Sequence, residues 1–320
     1  MKLFFKILVG IITIISGVAL LLTDVMSYIQ PLSALYILCP LTLFFSTFLI
    51  TIFISAIFWI SFGYWRISIL CLLLMAVSIP NCLKTYSFNA KNETVSEEGE
   101  ISIMTYNVHL FNWFEKNRGV ESGEKTIEYI KSTNSDIVCL QEVLYYPSGK
   151  HSLDSIINKL GYPYYYVHVL NNSKKVAKCL ATLSKYPIID NSDIDFGTQC
   201  HGGIVTKIAK GKDTITVVNF YLKSNQLTQK EKDLDSYAKP DSTSKTTSLF
   251  YRIYNKLVTA SHERCNEADK VAVEIGSIDK KLLICGDMND VPASYSYRTL
   301  SENKKDAFLE LSQWSMGSTF

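Results

Sequence analysis

Charge is nearly absent from the first quarter of this chain. Between Met1 and Leu83 the only Lys, Arg, Asp or Glu residues are Lys2, Lys6, Asp24 and Arg66. A stretch with so little to hold its surface in water argues against a soluble helical domain there. Metal-type Cys-x-x-Cys pairs are also missing. The eight cysteines are scattered singly, so no zinc ribbon or thiol redox motif is expected. No internal repeat is visible, which excludes a solenoid. A net charge of +2 over 320 residues is too small for a nucleic-acid footprint across the whole chain.

What fills the charge-poor region is apolar. Phe4 to Leu22, Leu32 to Ile60 and Ile67 to Leu83 are three runs without a central charge. A membrane span needs about 20 apolar residues, and a charge at its centre costs about 2.5–3.5 kcal/mol. Tyr28, Tyr36, Trp59, Tyr64 and Trp65 lie near the run ends, where aromatic belts form. Residues 1–86 therefore read as a membrane domain of three transmembrane helices, with the lipid bilayer as a partner. Lys2, Lys6 and Arg66 are the bases in the short flanks, so the positive-inside rule puts them in the cytoplasm. Three crossings then leave residues 87–320 outside. Residues 87–100, polar and rich in Glu, read as a linker.

The remainder, residues 101–320, alternates strand and helix patterns. Lys281 to Val291, KLLICGDMNDV, organises it. Leu282 to Cys285 is a continuous apolar run of the kind that suits a strand buried on both faces. Gly286 lets the backbone bend without a Cβ clash. Asp287 and Asn289 follow at the strand end, where two polar side chains can converge on a ligand; the same pair also suits an Asx-rich turn. Upstream, ISIMTYNV is a strand ending at Asn107, and DIVCLQEV is a strand with Gln141 and Glu142 near its end. Ser152 caps a helix that Gly161 terminates. Ile204–Ile208 and Thr214–Tyr221 flank Gly211-Lys212-Asp213 as a hairpin, with Asn219 and Tyr221 closing its second arm. The segment from Leu227 to Thr247, with eight Lys, Asp or Glu residues between Lys230 and Lys245, reads as a surface excursion. A long amphipathic helix is expected from Ser248 to about Gly276, with Ile253, Leu257, Cys265, Ala268, Ala272 and Ile275 inward and His262 on the solvated face. Cys139 and Cys285 sit in strand-like runs as small buried hydrophobes. If the strands share one sheet edge, Asn107, Glu142, Asp287 and Asn289 meet at one rim.

TYNV with Asn107, CLQEV with Glu142, LSKYPI from Leu183, VVNFYLKSN from Val217, and ICGDMNDVP ending at Pro292 occur in this order. The ordered set resembles the endonuclease/exonuclease/phosphatase superfamily with its deoxyribonuclease I-like fold, over most of residues 101–320. The charge-free spans ahead of it are similar to those of membrane-bound bacterial members. The resemblance implies an α/β four-layer sandwich of two packed mixed β-sheets with outer helices. It implies a bacterial inner-membrane protein that cleaves phosphate esters with Mg²⁺, Mn²⁺ being the other candidate. Glu142 matches the family's metal-ligand Glu, and Asn107 the Asn that helps hold metal and phosphate. Asp287 matches the Asp that orients the attacking water, and Asn289 the Asn that stabilises the phosphoryl oxygens and contacts substrate. Asn219 and Tyr221 stand where many members have Asn-x-His; Tyr occurs at the like position in apurinic-endonuclease members, so the Tyr221 hydroxyl is a candidate donor to phosphate. Members continue past a Gly-Ser-Thr-Phe-like element to a terminal Ser-Asp-His, which this sequence lacks. The expectation is therefore a shortened member of reduced activity, or a catalytically inactive binding or scaffold protein on the same fold. Nucleic acid, phospholipid head group and small phosphate ester all stay open as substrates.

Overall fold

A computed structural model describes residues 2–29, 34–86, 100–113, 119–173, 175–228, 231, 243–278 and 281–311. The chain folds as two compact units. One gathers residues 1–94, 224–268 and 290–320; the other gathers 95–223 and 269–289.

The second unit holds two four-stranded sheets. Strands β1 (Ile103–Asn107), β2 (Ile137–Tyr145), β3 (Tyr164–Asn172) and β4 (Ala177–Ser184) pair in the order β1-β2-β4-β3. Strands β5 (Ile188–Ile194), β6 (Gly202–Lys210), β7 (Asp213–Tyr221) and β8 (Leu282–Asp287) pair in chain order. Both sheets are mixed, because β1 with β2 and β7 with β8 are parallel while the other pairs are antiparallel. Ile137 and Cys139 of β2 pack with Ile208, Ile215, Val217 and Cys285 of the other sheet. That shared apolar layer, removed from water, is what holds the sheets face to face. The Cys285 thiol beside it and burial both push the Cys139 thiol well above its ordinary pKa, so the two cysteines act as the small hydrophobes expected of them. On the outer face of the first sheet, Ile127 and Ile130 of α5 (Gly119–Thr133) and Ile156, Ile157 and Leu160 of α6 (Leu153–Leu160) bury against Leu140, Val143 and Leu183. Ser152 caps α6 by accepting from the Ser155 N–H, and left-handed Gly161 ends it. The hairpin forms as its turn residues require, with Gly211 at φ +62 between β6 and β7.

One expectation is corrected here. β8 is not buried on both faces. It is the edge strand of its sheet, and among Leu282 to Cys285 only Cys285 is buried.

The first unit is built on apolar helices. They are α1 (Lys2–Met26), a 3-10 helix Ala34–Phe44 leading into α2 (Phe45–Ser61), and α3 (Trp65–Val77) with α4 (Ile79–Thr85). Leu3–Met26 and the continuous segment Leu35–Ser61 are long and apolar enough to cross a membrane. The third expected span is two helices bent by 56°. Pro80 at the start of α4 removes a backbone donor there, which accounts for the break. The Trp59 indole is buried rather than at a surface belt, donating to Thr13 Oγ1 at 3.0 Å. Asp24 joins α1 to the bend, accepting from Ser78 Oγ at 2.6 Å and Asn81 Nδ2 at 2.7 Å. The long helix α7 spans Thr243–Gly276, five residues earlier than expected. His262 on it is half-buried with its ring 4.8 Å from that of Tyr36, not on a solvated face. Two short helices follow, α8 (Tyr295–Ser301) and α9 (Ala307–Leu311). The expected linker 87–99, most of the 227–247 excursion and Gly317 to Phe320 lie outside the described residues.

Candidate active site

The parallel pairs β1–β2 and β7–β8 each finish on polar residues. Asn107 ends β1 opposite Gln141 of β2, and Asp287 ends β8 opposite Tyr221 of β7. The Asn107 amide donates from Nδ2 to Asp287 Oδ2 at 2.7 Å, a bond that joins the two sheets. Asp287 Oδ1 accepts the Asn289 backbone N–H at 2.8 Å. Asp287 thus makes the Asx-type turn and faces the rim at once; the two readings of GDMND are compatible. Asn289 has φ +50 and donates from Nδ2 to the Leu222 carbonyl at 3.0 Å. Its second amide N–H has no partner among the described residues.

Gly286 is required by space. A Cβ there would lie 2.5 Å from the Phe220 carbonyl oxygen and 2.8 Å from its ring, so only glycine lets β8 approach β7 this closely.

Glu142 reaches the rim through a β-bulge. In the β2–β4 pairing Leu140 faces Ala181 and Val143 faces Cys179, so Gln141 and Glu142 share one partner position. Glu142 takes φ +52 at this point. The extra residue breaks the alternation, and bulges of this kind re-aim side chains beside active sites. Glu142 Oε1 accepts a short hydrogen bond from the Tyr221 hydroxyl. Lys178 Nζ stands 3.8 Å from the same oxygen and 4.6 Å from the centre of the Tyr221 ring. On the other side His109 Nδ1 is 3.6 Å from Glu142 Oε2, and the His109 backbone N–H donates to Asn107 Oδ1 at 2.8 Å. A chain of contacts therefore runs Asp287, Asn107, His109, Glu142, Tyr221.

His109, Leu110, Phe111 and Asn112 all have positive φ, between 45 and 56°. Each left-handed residue costs about 1–2 kcal/mol. Such a run persists where its surroundings over-determine it. Phe111 is fully buried and stacked on Trp113 at 4.8 Å, which pins one end. The Asn107 bond pins the other.

Asn219 does not stand at the rim. It is fully buried. Its Oδ1 accepts from Gln141 Nε2 at 2.8 Å, and its Nδ2 donates to the Ala181 carbonyl at 3.0 Å. The side chain ties the two sheets together behind the site. Gln141, Lys178 and His109 carry no strong sequence signal. Gln141 sits beside Glu142 and His109 two residues after Asn107, but Lys178 enters only through the β2–β4 register.

The donor set is made of hard oxygens. The carboxylates of Asp287, at the end of β8, and of Glu142, at the bulge within β2, are half-buried and linked through Asn107 and His109, a donor set that fits a hard divalent cation better than a soft one.

A family model described as Endonuclease/Exonuclease/phosphatase family matches residues 104–320. The chain belongs to this family. The family's name gives the chemistry, hydrolysis of phosphate esters. No curated protein matches the chain. Similar solved structures include humanized TDP2 of D. rerio, at 14% identity and TM-score 0.40, covering 63% of this chain and 66% of that one. Beta toxin from Staphylococcus aureus with bound magnesium ions is 16% identical, TM-score 0.41, covering 64% and 70%. An endonuclease/exonuclease/phosphatase from Beutenbergia cavernae is 15% identical, TM-score 0.39, covering 61% and 50%. The chain spans just under two thirds of the first of these. Family membership rests on the sequence match.

Proposed function

We propose that this member of the endonuclease/exonuclease/phosphatase family is a membrane-anchored phosphoesterase that works with a divalent cation, Mg²⁺ or Mn²⁺. Residues 1–86 form the membrane domain, 87–100 the linker and 101–320 the hydrolytic domain. The bases Lys2, Lys6 and Arg66 on the short flanks support an extracytoplasmic hydrolytic domain, and the resemblance to membrane-bound bacterial members supports a bacterial inner-membrane protein. The observation that carries the reading is the Asn107–Asp287 bond, 2.7 Å across the two sheets, beside the bulged Glu142.

In this reading Glu142 and Asn107 Oδ1 hold the cation, which when bound neutralises charge developing on phosphoryl oxygens. Asp287 is the base. Its two oxygens are fixed by Asn107 Nδ2 and the Asn289 N–H, so it meets an incoming water in one orientation. The second amide N–H of Asn289 donates to a phosphoryl oxygen as negative charge grows there. Tyr221 fixes Glu142 through its hydroxyl, Lys178 brings positive charge to one side of that carboxylate, and the His109 ring lies on the other. Asn219 is a positioning residue, since among the described residues its side chain hydrogen-bonds to Gln141 and to the Leu140 and Ala181 carbonyls. The substrate is a phosphate ester: nucleic acid, phospholipid head group or a small soluble ester.

The test is hydrolysis of a generic phosphodiester and a phosphomonoester by the full chain in detergent, with Mg²⁺ or Mn²⁺ added, alongside calorimetric cation binding. The expected result is turnover that a chelator removes, with cation binding lost in Glu142→Ala. Cation binding without hydrolysis of any ester class would leave a binding protein on this fold and overturn the enzyme reading.

A further inference from the structure

The first half of α7 carries an exposed aromatic face. Phe250, Tyr251 and Tyr254 are 55, 70 and 42% exposed, and their spacing puts them on one side of the helix. Beside these rings Leu249 is buried and Ile253 and Leu257 are half-buried. Farther along, the aromatic side becomes a contact surface. The Tyr254 hydroxyl donates to the Ile37 carbonyl at 2.5 Å, and the His262 ring meets Tyr36 at 4.8 Å. The exposed rings therefore run straight into the apolar segment that precedes α2. On that segment Leu35 and Ile37 are themselves 49 and 46% exposed.

Length says where this junction falls. The 3-10 helix Ala34–Phe44 has 11 residues and α2 has 17, so at their normal rises they extend about 22 Å and about 26 Å. The hydrocarbon core is about 30 Å thick. An upright segment overshoots it by about 18 Å, and the α7 contacts lie at its Ala34 end. That end is the same side as the C-terminus of α1, which a short connection joins to it. Tyr28 on this connection is 59% exposed, with the Arg298 guanidinium 3.7 Å above its ring.

We propose that Phe250, Tyr251 and Tyr254 sit in the lipid head-group interface of the bilayer that the N-terminal helices cross. Rings with an apolar body and a hydroxyl tip prefer that layer. The occupant of the face is lipid, because the face is continuous with the exposed apolar surface of a candidate span. The inference rests on the membrane-spanning reading above, and it adds that α7, outside the N-terminal region, also engages the bilayer.

The experiment places a photoreactive benzoylphenylalanine at Tyr251, and in a second variant at Phe250, in the full chain reconstituted into vesicles of phosphatidylcholine and phosphatidylglycerol. Ile14 of α1, 68% exposed, serves as the position for the spanning helices. Asn266, exposed on α7, is the polar comparison. The expected result is lipid adduct at Ile14, Tyr251 and Phe250, several times that at Asn266. Adduct at Ile14 with only background at Tyr251 and Phe250, or protein–protein adducts there, overturns this proposal and leaves the spanning helices standing. Background at Ile14 overturns the spanning reading itself, and this proposal with it.

Discussion

Asp287 and Asp290 stand three residues apart in one motif and are used in opposite ways. Asp287, in the unit of the two sheets, is half-buried, and its carboxylate is held by an amide and a backbone N–H. Asp290, in the unit of the apolar helices, is buried against Arg264, whose Nε donates to its Oδ2 at 3.1 Å. Ser296 Oγ donates to the same oxygen, and the Val291 N–H donates to the other. Arg264 is fully buried, donating also to Asn225 Oδ1 and Ser261 Oγ. A charge pair closed off from water and hydrogen-bonded on both partners is structural. A carboxylate held by neutral donors at an open strand end keeps its charge available to a ligand.

The strongest way to break this comparison is Arg264→Ala. It leaves Asp290 buried and uncompensated, so a loss of about 3–5 kcal/mol is expected. Denaturant unfolding of the detergent-solubilised chain reads it, and a change under about 1 kcal/mol would mean that Asp290 is not held as a buried ion pair. Asp287→Asn should do the reverse. Its unfolding curve stays near that of the parent, while phosphoester turnover falls by about 10²–10⁴-fold. Equal turnover in the two proteins would remove Asp287 from the chemistry. Gly286→Ala joins both effects, because the new Cβ must push against the Phe220 carbonyl. An overpacking cost of about 1–3 kcal/mol is expected, with turnover reduced as β8 shifts.

The smallest effect concerns Glu231, which sharpens the comparison from the acid side of the pH scale. The Lys256 ammonium at 2.8 Å, then the Thr228 N–H, pull its carboxyl down to about 2. Its folded pKa lies below its unfolded one, so its stabilising contribution is complete above the ordinary carboxylate value of about 4.3. That contribution fades as pH falls toward about 2. Thermal midpoints of the parent should drop through that window more steeply than those of Glu231→Gln. Parallel curves would show that the pairing contributes nothing.

Much of this was legible in the chain. Alternation and turn residues located β1, β2, the β6–β7 hairpin and the capped helix after Ser152, because those signals are local. The four rim residues were placed by the order of strand-end motifs. Other features were not legible. Apolarity alone made β8 look doubly buried, since hydrophobicity does not say whether a strand is central or at an edge. The isolated pattern of α7 put His262 in water, since no periodicity reports that Tyr36 will cover it. Asn219 was a site candidate through its place in the family motif, whereas the pleat turns it between the sheets toward Gln141.

By itself the sequence determined the charge-free N-terminal region, the strand and helix segments, and the family of residues 104–320. These follow from composition, period and motif order, which are written along the chain. Tertiary structure decided which of two neighbouring aspartates is open, how a bulge carries Glu142 to the rim, and why Lys178 and His109 stand beside it. Those outcomes depend on register and burial, and both come from pairings between residues far apart in the chain.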